Sequence, residues 1–242
     1  NYSSDISIIG DAGAGLAAIL GRTNAESGDA AFLEGVRRAR SDVIASMRKR
    51  IGSDMEAIMD DIRERLPRDG IFVRDMTQPA YYWGNNLFPI FESRTTMNPT
   101  SGAIGPGLPM ANGAAVGTGK KTVVIHGDGG FMVHVGELAT SVQYHLPLVI
   151  CVFTDGGYGV LRGIQSNSFE GRTTGVNLVT PNFVTVANGM GMAAESVAGV
   201  AEFKDAFARA MQADGPVLLD INMSKLEPMQ GQMFVDFEQP AA

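Results

Sequence analysis

Short apolar runs, rich in β-branched residues, alternate along this chain with stretches in which apolar residues recur every three or four positions. The short runs predict buried strands, and the periodic stretches predict helices that turn one face inward. The predicted strands lie at residues 71–75, 121–126, 148–153, 193–197 and 216–223. Strands separated by helices indicate an α/β fold, with an open, mainly parallel sheet and helices on both faces.

The first twenty residues predict only one strand and one helix. Residues 6–11 predict a short strand, and residues 12–20 predict a helix. One strand and one helix cannot bury a core of their own. This segment is therefore either the end of a preceding domain, which we favour, or a small arm on the domain that follows.

Two helices are expected between this segment and the first long strand. Residues 28–50 predict an amphipathic helix with Phe32, Val36 and Val43 on its inner face, and residues 54–66 predict a second helix. The first helix also carries a cluster of arginines. We interpret that cluster as a solvated face or a linker rather than a nucleic-acid surface.

The most informative stretch joins two of the predicted strands. Gly127-Asp128-Gly129 follows the strand at 121–126, and Thr154-Asp155-Gly156-Gly157 follows the strand at 148–153. In an open parallel sheet, ligands bind at the carboxyl ends of the strands. Two carboxylates at that edge repel each other unless a cation lies between them. Oxygen ligands and tight glycine turns suit Mg²⁺ that carries a diphosphate.

The segments around this stretch have patterns of their own. Residues 164–180 are polar and rich in glycine and threonine, which predicts a mobile loop at the active site. An aromatic segment at 81–91 either lines a substrate pocket or packs between subunits. A helix is expected between the two acids, because its apolar residues recur three and four positions apart. These residues are Val135, Leu138, Ala139 and Val142.

Composition narrows the classes of function. The chain has 19 Lys and Arg against 26 Asp and Glu, a net charge of −7, which argues against a nucleic-acid surface. The single cysteine, Cys151, lies in a predicted buried strand, so no internal disulfide is expected. No apolar run reaches membrane-spanning length, and the first residues show no signal-peptide pattern. We therefore expect a cytoplasmic protein without a membrane or nucleic-acid partner.

The two acidic turns resemble the diphosphate-binding motif of thiamine-diphosphate enzymes. In that family a Gly-Asp-Gly turn is followed, about two dozen residues later, by an Asn-Asn pair. This chain departs from the pattern at the pair, which is Thr154-Asp155. The resemblance implies that Asp155 is still a metal ligand, with one more negative charge than the usual asparagine.

A second run, Gly102-Ala103-Ile104-Gly105, is similar to the run that lies beside the cofactor's aminopyrimidine in this family. The resemblance implies that the Gly102 carbonyl accepts a hydrogen bond from the 4′-amino group. Ile104 would support the V-shaped cofactor. Residues 136–148 are typical of the group that contains acetolactate synthase and benzoylformate decarboxylase.

The same resemblance implies a full set of site residues. The metal would be held by the Asp128 and Asp155 side chains and by the backbone carbonyl of Gly157. Val160 and Leu161 would face the substrate. Besides these residues, Gly102 and Ile104, the expected cofactor contacts are Gly127, Gly129, Gly130, Tyr158 and Gly159.

Four segments are expected on this basis. Residues 1–22 would be a remnant of the family's middle domain, and residues 23–50 a helical linker. Residues 51–225 would be the diphosphate-binding domain, and residues 226–242 a poorly ordered or subunit-wrapping tail. The family activates its cofactor with a glutamate from a pyrimidine-binding domain, and no stretch of this sequence resembles that domain. We therefore expect that domain as a partner, a homo-oligomer (dimer or tetramer), and catalytic residues outside this sequence.

The function expected is that of a decarboxylase or carboligase that uses thiamine diphosphate and Mg²⁺ and acts on a 2-oxo acid. One alternative is a non-catalytic cofactor-binding or regulatory subunit. Another is a Rossmann-type dinucleotide binder, which needs Gly-x-Gly-x-x-Gly after the first strand. The strand at 71–75 is followed by Met76-Thr77-Gln78-Pro79 instead.

Overall fold

The computed structural model of this chain describes residues 4–23 and 29–230. Contacts within the chain divide it into two compact units, Asn1–Val43 and Ile44–Ala242. All strands among the described residues belong to the second unit. No helix in the described ranges is both long and apolar enough to cross a membrane.

Six parallel strands form the sheet of the second unit. They are β1 (Ile71–Arg74), β2 (Thr96–Met97), β3 (Thr122–Gly127), β4 (Leu148–Thr154), β5 (Ala193–Val197) and β6 (Val217–Asn222). Their order across the sheet is β2-β1-β3-β4-β6-β5. The five strands expected from the apolar runs are confirmed, and the parallel α/β class with them. β2 is too short to have a periodicity that the sequence could show.

Eight α-helices accompany the sheet in the described part of the chain. They are α1 (Ala12–Leu20), α2 (Ala30–Arg65), α3 (Gly107–Thr118), α4 (Asp128–Phe131), α5 (Leu138–Gln143), α6 (Gly159–Ser168), α7 (Phe183–Gly189) and α8 (Val200–Gln212). A π-helical turn at Ala80–Gly84 follows β1. It carries buried Trp83, which stacks on Phe72, so this aromatic residue packs in the interior.

Two apolar cores lie on the two faces of the sheet, because successive residues of a strand point to opposite sides. Val123 and Ile125 of β3 belong to one core, which includes residues of α2 and α8. Val124 belongs to the other core, with residues of α3 and α7. Cys151 is fully buried in the first core, and this burial raises the pKa of its thiol.

Helix α2 combines the two helices expected from the sequence. Gly52 interrupts it with non-helical dihedrals (φ 80°, ψ 162°) that suit glycine. Glu227 packs at this break: its Oε2 accepts from the Ser53 N–H at 2.8 Å, and its own N–H donates to Asp54 at 2.7 Å. The expected tail at 226–242 thus begins with a segment held on α2, while residues 231–242 lie outside the described residues.

Two expectations for the first unit are wrong. Residues 6–11 form no strand, because no described strand of this unit is available to pair with them. The predicted inner face of the helix at 28–50 is exposed: Phe32, Val36 and Val43 are 67%, 50% and 58% accessible. Helical spacing puts residues on one face, but it does not supply the segment that would cover that face.

Two expectations near the acidic turns also need correction. The single helix predicted after Gly129 is broken: α4 is followed by a 3₁₀ segment, Met132–Glu137, in which His134 is non-helical, and then by α5. Ala139 is exposed rather than inward. Helix α6 extends to Ser168, so the loop predicted from residue 164 begins only after it.

Candidate functional site

The carboxyl ends of β1, β3 and β4 lie side by side at one edge of the sheet, where they border a cavity of about 430 Å³. Most of the residues expected to bind cofactor or substrate line this cavity. They are Gly102, Ile104, Gly127, Gly130, Asp155, Gly157, Tyr158, Gly159, Val160 and Leu161. Asp128 and Gly129 lie behind the wall: Asp128 is fully buried, and the Tyr158 ring packs against Gly129.

Asp128 follows β3 and is held by backbone N–H groups. Its Oδ1 accepts from Gly129 at 2.9 Å, and its Oδ2 accepts from Gly156 at 2.8 Å and from Gly157 at 3.1 Å. Burial raises the pKa of this carboxyl above its usual value, while the three hydrogen bonds and Arg162 oppose the rise. The carboxylate therefore joins the turn after β3 to the turn after β4.

Asp155 follows β4, and side chains are prominent among its partners. Its Oδ2 accepts from Gln78 Nε2 at 2.9 Å and lies 3.4 Å from Arg162 Nη1. Burial, and next the negative charge of Asp128, raise the pKa of Asp155 to about 6. The Arg162 guanidinium and the Gly157 N–H act in the opposite direction.

Glycines let other groups approach this edge closely. A Cβ at Gly159 would lie 1.9 Å from Asp155 Oδ2, and a Cβ at Gly157 would lie 2.1 Å from the Val176 carbonyl oxygen. Gly157 has a φ of 149°, which side chains rarely adopt. Only glycine therefore fits these two positions without movement of the site.

Thr154 stands where the family motif has its first asparagine. Its side chain is not part of the cavity lining. Its hydroxyl donates to Asp220 Oδ1 on β6 at 2.6 Å. This bond connects the end of β4 to the neighbouring strand. The substitution thus replaces an amide by a hydroxyl that has a partner of its own.

Sequence reasoning missed three polar residues of this site: Asp75, Gln78 and Arg162. Asp75 follows β1 as Asp128 follows β3, so its place at a strand end was a usable signal. Gln78 lines the cavity and donates to Asp155. Arg162 lies on α6, and besides Asp155 it contacts the Gly156 carbonyl oxygen at 3.2 Å.

His126 is another buried polar residue at this edge. Its Nδ1 lies 3.6 Å from Asp75 Oδ2, and both side chains are fully buried. Burial lowers the pKa of His126 to about 4, despite the opposing charge of Asp75. The imidazole is therefore neutral at pH 7.

The residues present fit a divalent cation with oxygen ligands. Burial is the main cause of the raised pKa of Asp155, and the negative charge of Asp128 adds to it. A cation between the two carboxylates would relieve this repulsion. Within the described ranges, no group of three or more His, Cys, Asp or Glu side chains could hold a metal ion. Two carboxylates with further oxygens from a phosphate and water match the way Mg²⁺ is usually bound.

A parallel sheet with two glycine-flanked acids at its ligand edge defines the class as an α/β cofactor-binding domain. Comparison with known families makes this specific. The profile described as "Thiamine pyrophosphate enzyme, C-terminal TPP binding domain" matches residues 76–221. The chain therefore belongs to the thiamine pyrophosphate enzyme family. This match favours thiamine diphosphate over the dinucleotide alternative.

Individual relatives agree with this assignment. Benzoylformate decarboxylase of Pseudomonas aeruginosa is 30% identical over 174 residues, which are 72% of this chain and 33% of that protein. A probable acetolactate synthase large subunit of Methanococcus aeolicus is 30% identical over 175 residues, 71% and 29% of the two chains. The resemblance to the acetolactate synthase and benzoylformate decarboxylase group is thus confirmed. The chain spans about a third of the length of these curated relatives.

A solved structure shares the fold. The thiamine diphosphate-dependent 4-hydroxybenzoylformate decarboxylase of Rhodococcus jostii RHA1 aligns with a TM-score of 0.65 and 29% identity. The alignment covers 71% of this chain and 33% of that one.

Proposed function

We propose that this chain supplies the diphosphate and Mg²⁺ site of a thiamine-diphosphate-dependent decarboxylase or carboligase that acts on a 2-oxo acid. The observation that carries the proposal is the pair Asp128 and Asp155, two carboxylates that repel each other at the ligand edge of the sheet. The names of the relatives support the reaction class, since they include a benzoylformate decarboxylase and an acetolactate synthase subunit.

Each part of the edge has a role in this proposal. The Asp128 and Asp155 side chains and the Gly157 carbonyl would hold Mg²⁺, and the Gly130 amide would bind diphosphate oxygens. The Gly129 amide, which was expected to do the same, already donates to Asp128 Oδ1. Bound thiamine diphosphate supplies the nucleophilic carbon and the electron sink for loss of CO₂ from a 2-oxo acid. The protein residues bind and orient it.

The substrate side of the cavity is mainly apolar. Val160, Leu161 and Met223 lie there, and Asp155 is the one carboxylate among the described residues that line the cavity. A carboxylate that binds the metal cannot also serve as the activating acid. We therefore propose that a glutamate from a pyrimidine-binding domain outside this chain activates the cofactor, and that the assembled enzyme is a homo-oligomer.

We propose that the chain divides into four segments. Residues 51–225 would form the diphosphate-binding domain, residues 23–50 the linker, and residues 1–22 a remnant of a middle domain. Residues 226–242 would be a tail whose first part is fixed by Glu227. The chain alone would then bind cofactor weakly and show no robust decarboxylation without a partner domain.

A non-catalytic cofactor-binding or regulatory subunit is the second candidate. The observation that favours it is the lack of a second carboxylate among the described cavity-lining residues. Adding a pyrimidine-binding domain from a relative distinguishes the two candidates. Decarboxylation of a 2-oxo acid by the mixture supports the enzyme, whereas binding of cofactor without turnover supports the regulatory subunit.

The test of the site itself is a binding titration of thiamine diphosphate with and without Mg²⁺, followed by ³¹P NMR, which detects weak complexes. We expect Asp128→Ala to weaken Mg²⁺-dependent binding about 100-fold. Asp61→Ala is the matched control, because Asp61 is also buried but pairs with Arg65 on α2. Unchanged binding by Asp128→Ala, in a variant with a native thermal transition, would contradict the proposed metal site.

A further inference from the structure

Asp75 connects the end of β1 to a distant segment of the cavity wall. Its side chain is fully buried. Oδ1 accepts from the Met76 N–H at 2.7 Å and from the Gly105 N–H at 3.0 Å, and Oδ2 accepts from the Gly107 N–H at 2.8 Å. Hydrogen bonds to an ionised carboxylate are stronger than those between neutral groups. These bonds therefore fix the position of Gly105 and Gly107.

The segment that Asp75 holds has an unusual backbone. Ser101, Gly102 and Gly105 have φ angles of 58°, 71° and 97°, in the left-handed region. The segment runs into α3, whose N-cap residue Pro106 makes no side-chain cap hydrogen bond. Asp75, at the end of β1, instead accepts from the N–H of Gly107, the first residue of α3. The conformation of the segment thus depends on a residue 30 positions earlier.

The same carboxylate also borders the Gly-Asp-Gly turn. A Cβ at Gly130 would lie 3.1 Å from Asp75 Oδ1 and 3.7 Å from the Cβ of Ile104. A Cβ at Gly107 would lie 2.7 Å from His126 Nε2. The Asp75 carboxylate therefore borders both the segment that carries Ile104 and the turn that carries Gly130, at a point where the two are in contact. Its hydrogen bonds to Gly105 and Gly107 belong to the segment.

We infer that Asp75 is a positioning residue that places Gly102 and Ile104 against the aminopyrimidine end of the cofactor, without touching the cofactor itself. The inference rests on the proposed function, in which the Gly-Asp-Gly turn binds the other end, the diphosphate. It follows that a change at Asp75 affects the two ends of the cofactor unequally. A residue that served only as a helix cap would not have this selectivity.

The experiment compares two probes, thiamine diphosphate and inorganic pyrophosphate, each with Mg²⁺, by ³¹P NMR titration of the full chain. Asp75→Asn keeps the volume of the side chain and replaces one acceptor oxygen by an NH₂ group. We expect thiamine diphosphate to bind about tenfold more weakly, since a hydrogen bond to a charged group is lost. Pyrophosphate affinity should stay unchanged.

Asp61→Asn is the matched control, because Asp61 is a buried acid on α2 whose oxygens accept from Arg65 Nε. It should leave both affinities unchanged. Equal weakening of both probes by Asp75→Asn, or no weakening of either, would overturn the inference and leave the proposed function intact. If the wild-type chain binds neither probe, the proposed function fails and the inference fails with it.

A second variant keeps the inference testable if Asp75→Asn does not fold. Gly105→Ala retains the carboxylate but puts a methyl group 2.7 Å from the Val133 Cβ, so the segment must move. We expect the same selectivity, with weaker thiamine diphosphate binding and unchanged pyrophosphate binding. If both affinities are unchanged in a variant with a native thermal transition, the position of the segment does not matter for cofactor binding.

Discussion

Asp128 and Asp155 end neighbouring strands at the same edge, but the surrounding structure holds them differently. Asp128 is fully buried and accepts hydrogen bonds from three backbone N–H groups. Asp155 is held mainly by the side chains of Gln78 and Arg162, with the Gly157 N–H as a backbone partner. Backbone donors in tight turns move only if the fold moves, whereas side chains can change rotamer.

The two acids therefore differ in what they contribute to the site: Asp128 has a fixed position, and Asp155 has a strongly raised pKa. Asp128 is fixed before any ligand arrives, because its donors belong to the two turns themselves. The ionised form of Asp155 is disfavoured, because burial and the charge of Asp128 raise its pKa to about 6. A cation that binds here would therefore be oriented by Asp128 and would stabilise the ionised form of Asp155.

The largest effect is expected from a substitution in the turn whose backbone N–H groups hold Asp128. Gly157→Ala puts a methyl group 2.1 Å from the Val176 carbonyl oxygen, which is backbone and cannot turn away. We expect a loss of about 3 kcal/mol in the free energy of unfolding, measured by urea denaturation. The neighbouring Gly156→Ala is the control. It has a φ of 78° but open space around its Cβ, so it should lose only about 1 kcal/mol. Equal losses would show that the close approach at Gly157 is unimportant.

The next effect concerns the charge of Asp155 in the absence of metal. Its pKa lies near 6 in the folded chain and near 3.8 when unfolded. The ionised carboxylate therefore lowers the free energy of unfolding. This penalty is fully present above pH 6 and disappears as the pH falls towards 4. We expect Asp155→Asn to be more stable than the wild type by about 2 kcal/mol at pH 7, allowing for solvent at the carboxylate.

Denaturation curves of both proteins between pH 4 and pH 8 check this expectation. The gap between variant and wild type should close towards pH 4, because both side chains are then neutral. A gap of constant size over this range would mean that the charge of Asp155 is not the cause.

The smallest effect comes from Arg162, whose side chain is 31% exposed. Arg162→Met removes a cation that lowers the pKa of both Asp128 and Asp155. We expect a stability loss of about 1 kcal/mol at pH 7 and a shift of the Asp155 titration to higher pH. The loss should be smaller when Asp155→Asn is already present. A double-mutant cycle measures this coupling, and additive losses would mean that the two residues act independently.

The sequence was informative where signals are local. The strands and the acids Asp128 and Asp155 could be predicted, because β-branched runs and glycine-flanked turns depend on neighbouring residues. Asp75 could not be assigned a role in the same way. Its partners Gly105 and Gly107 lie about 30 residues along the chain, and only the folded sheet brings them to it.

The wrong expectations have a related cause. Phe32 and Val36 have helical spacing, and the spacing is correct, but exposure depends on what packs against that face. The strand predicted at 6–11 failed because β-structure needs a partner strand, which propensity alone does not provide. The break at His134 was not visible in the sequence, because the apolar residues that set the helical period, from Val135 onward, all follow it.

The register between β3 and β4 pairs Gly127 with Phe153, so Asp128 and Asp155 leave adjacent strands one residue out of step. Strands in a sheet are about 4.8 Å apart, and the backbone ladder alone fixes that spacing. The distance between the two acids is thus inherited from the two central strands and not from the helices around them. Over evolution the outer helices can diverge while the spacing of the two acids persists, whereas a slip of one residue between these strands would change it.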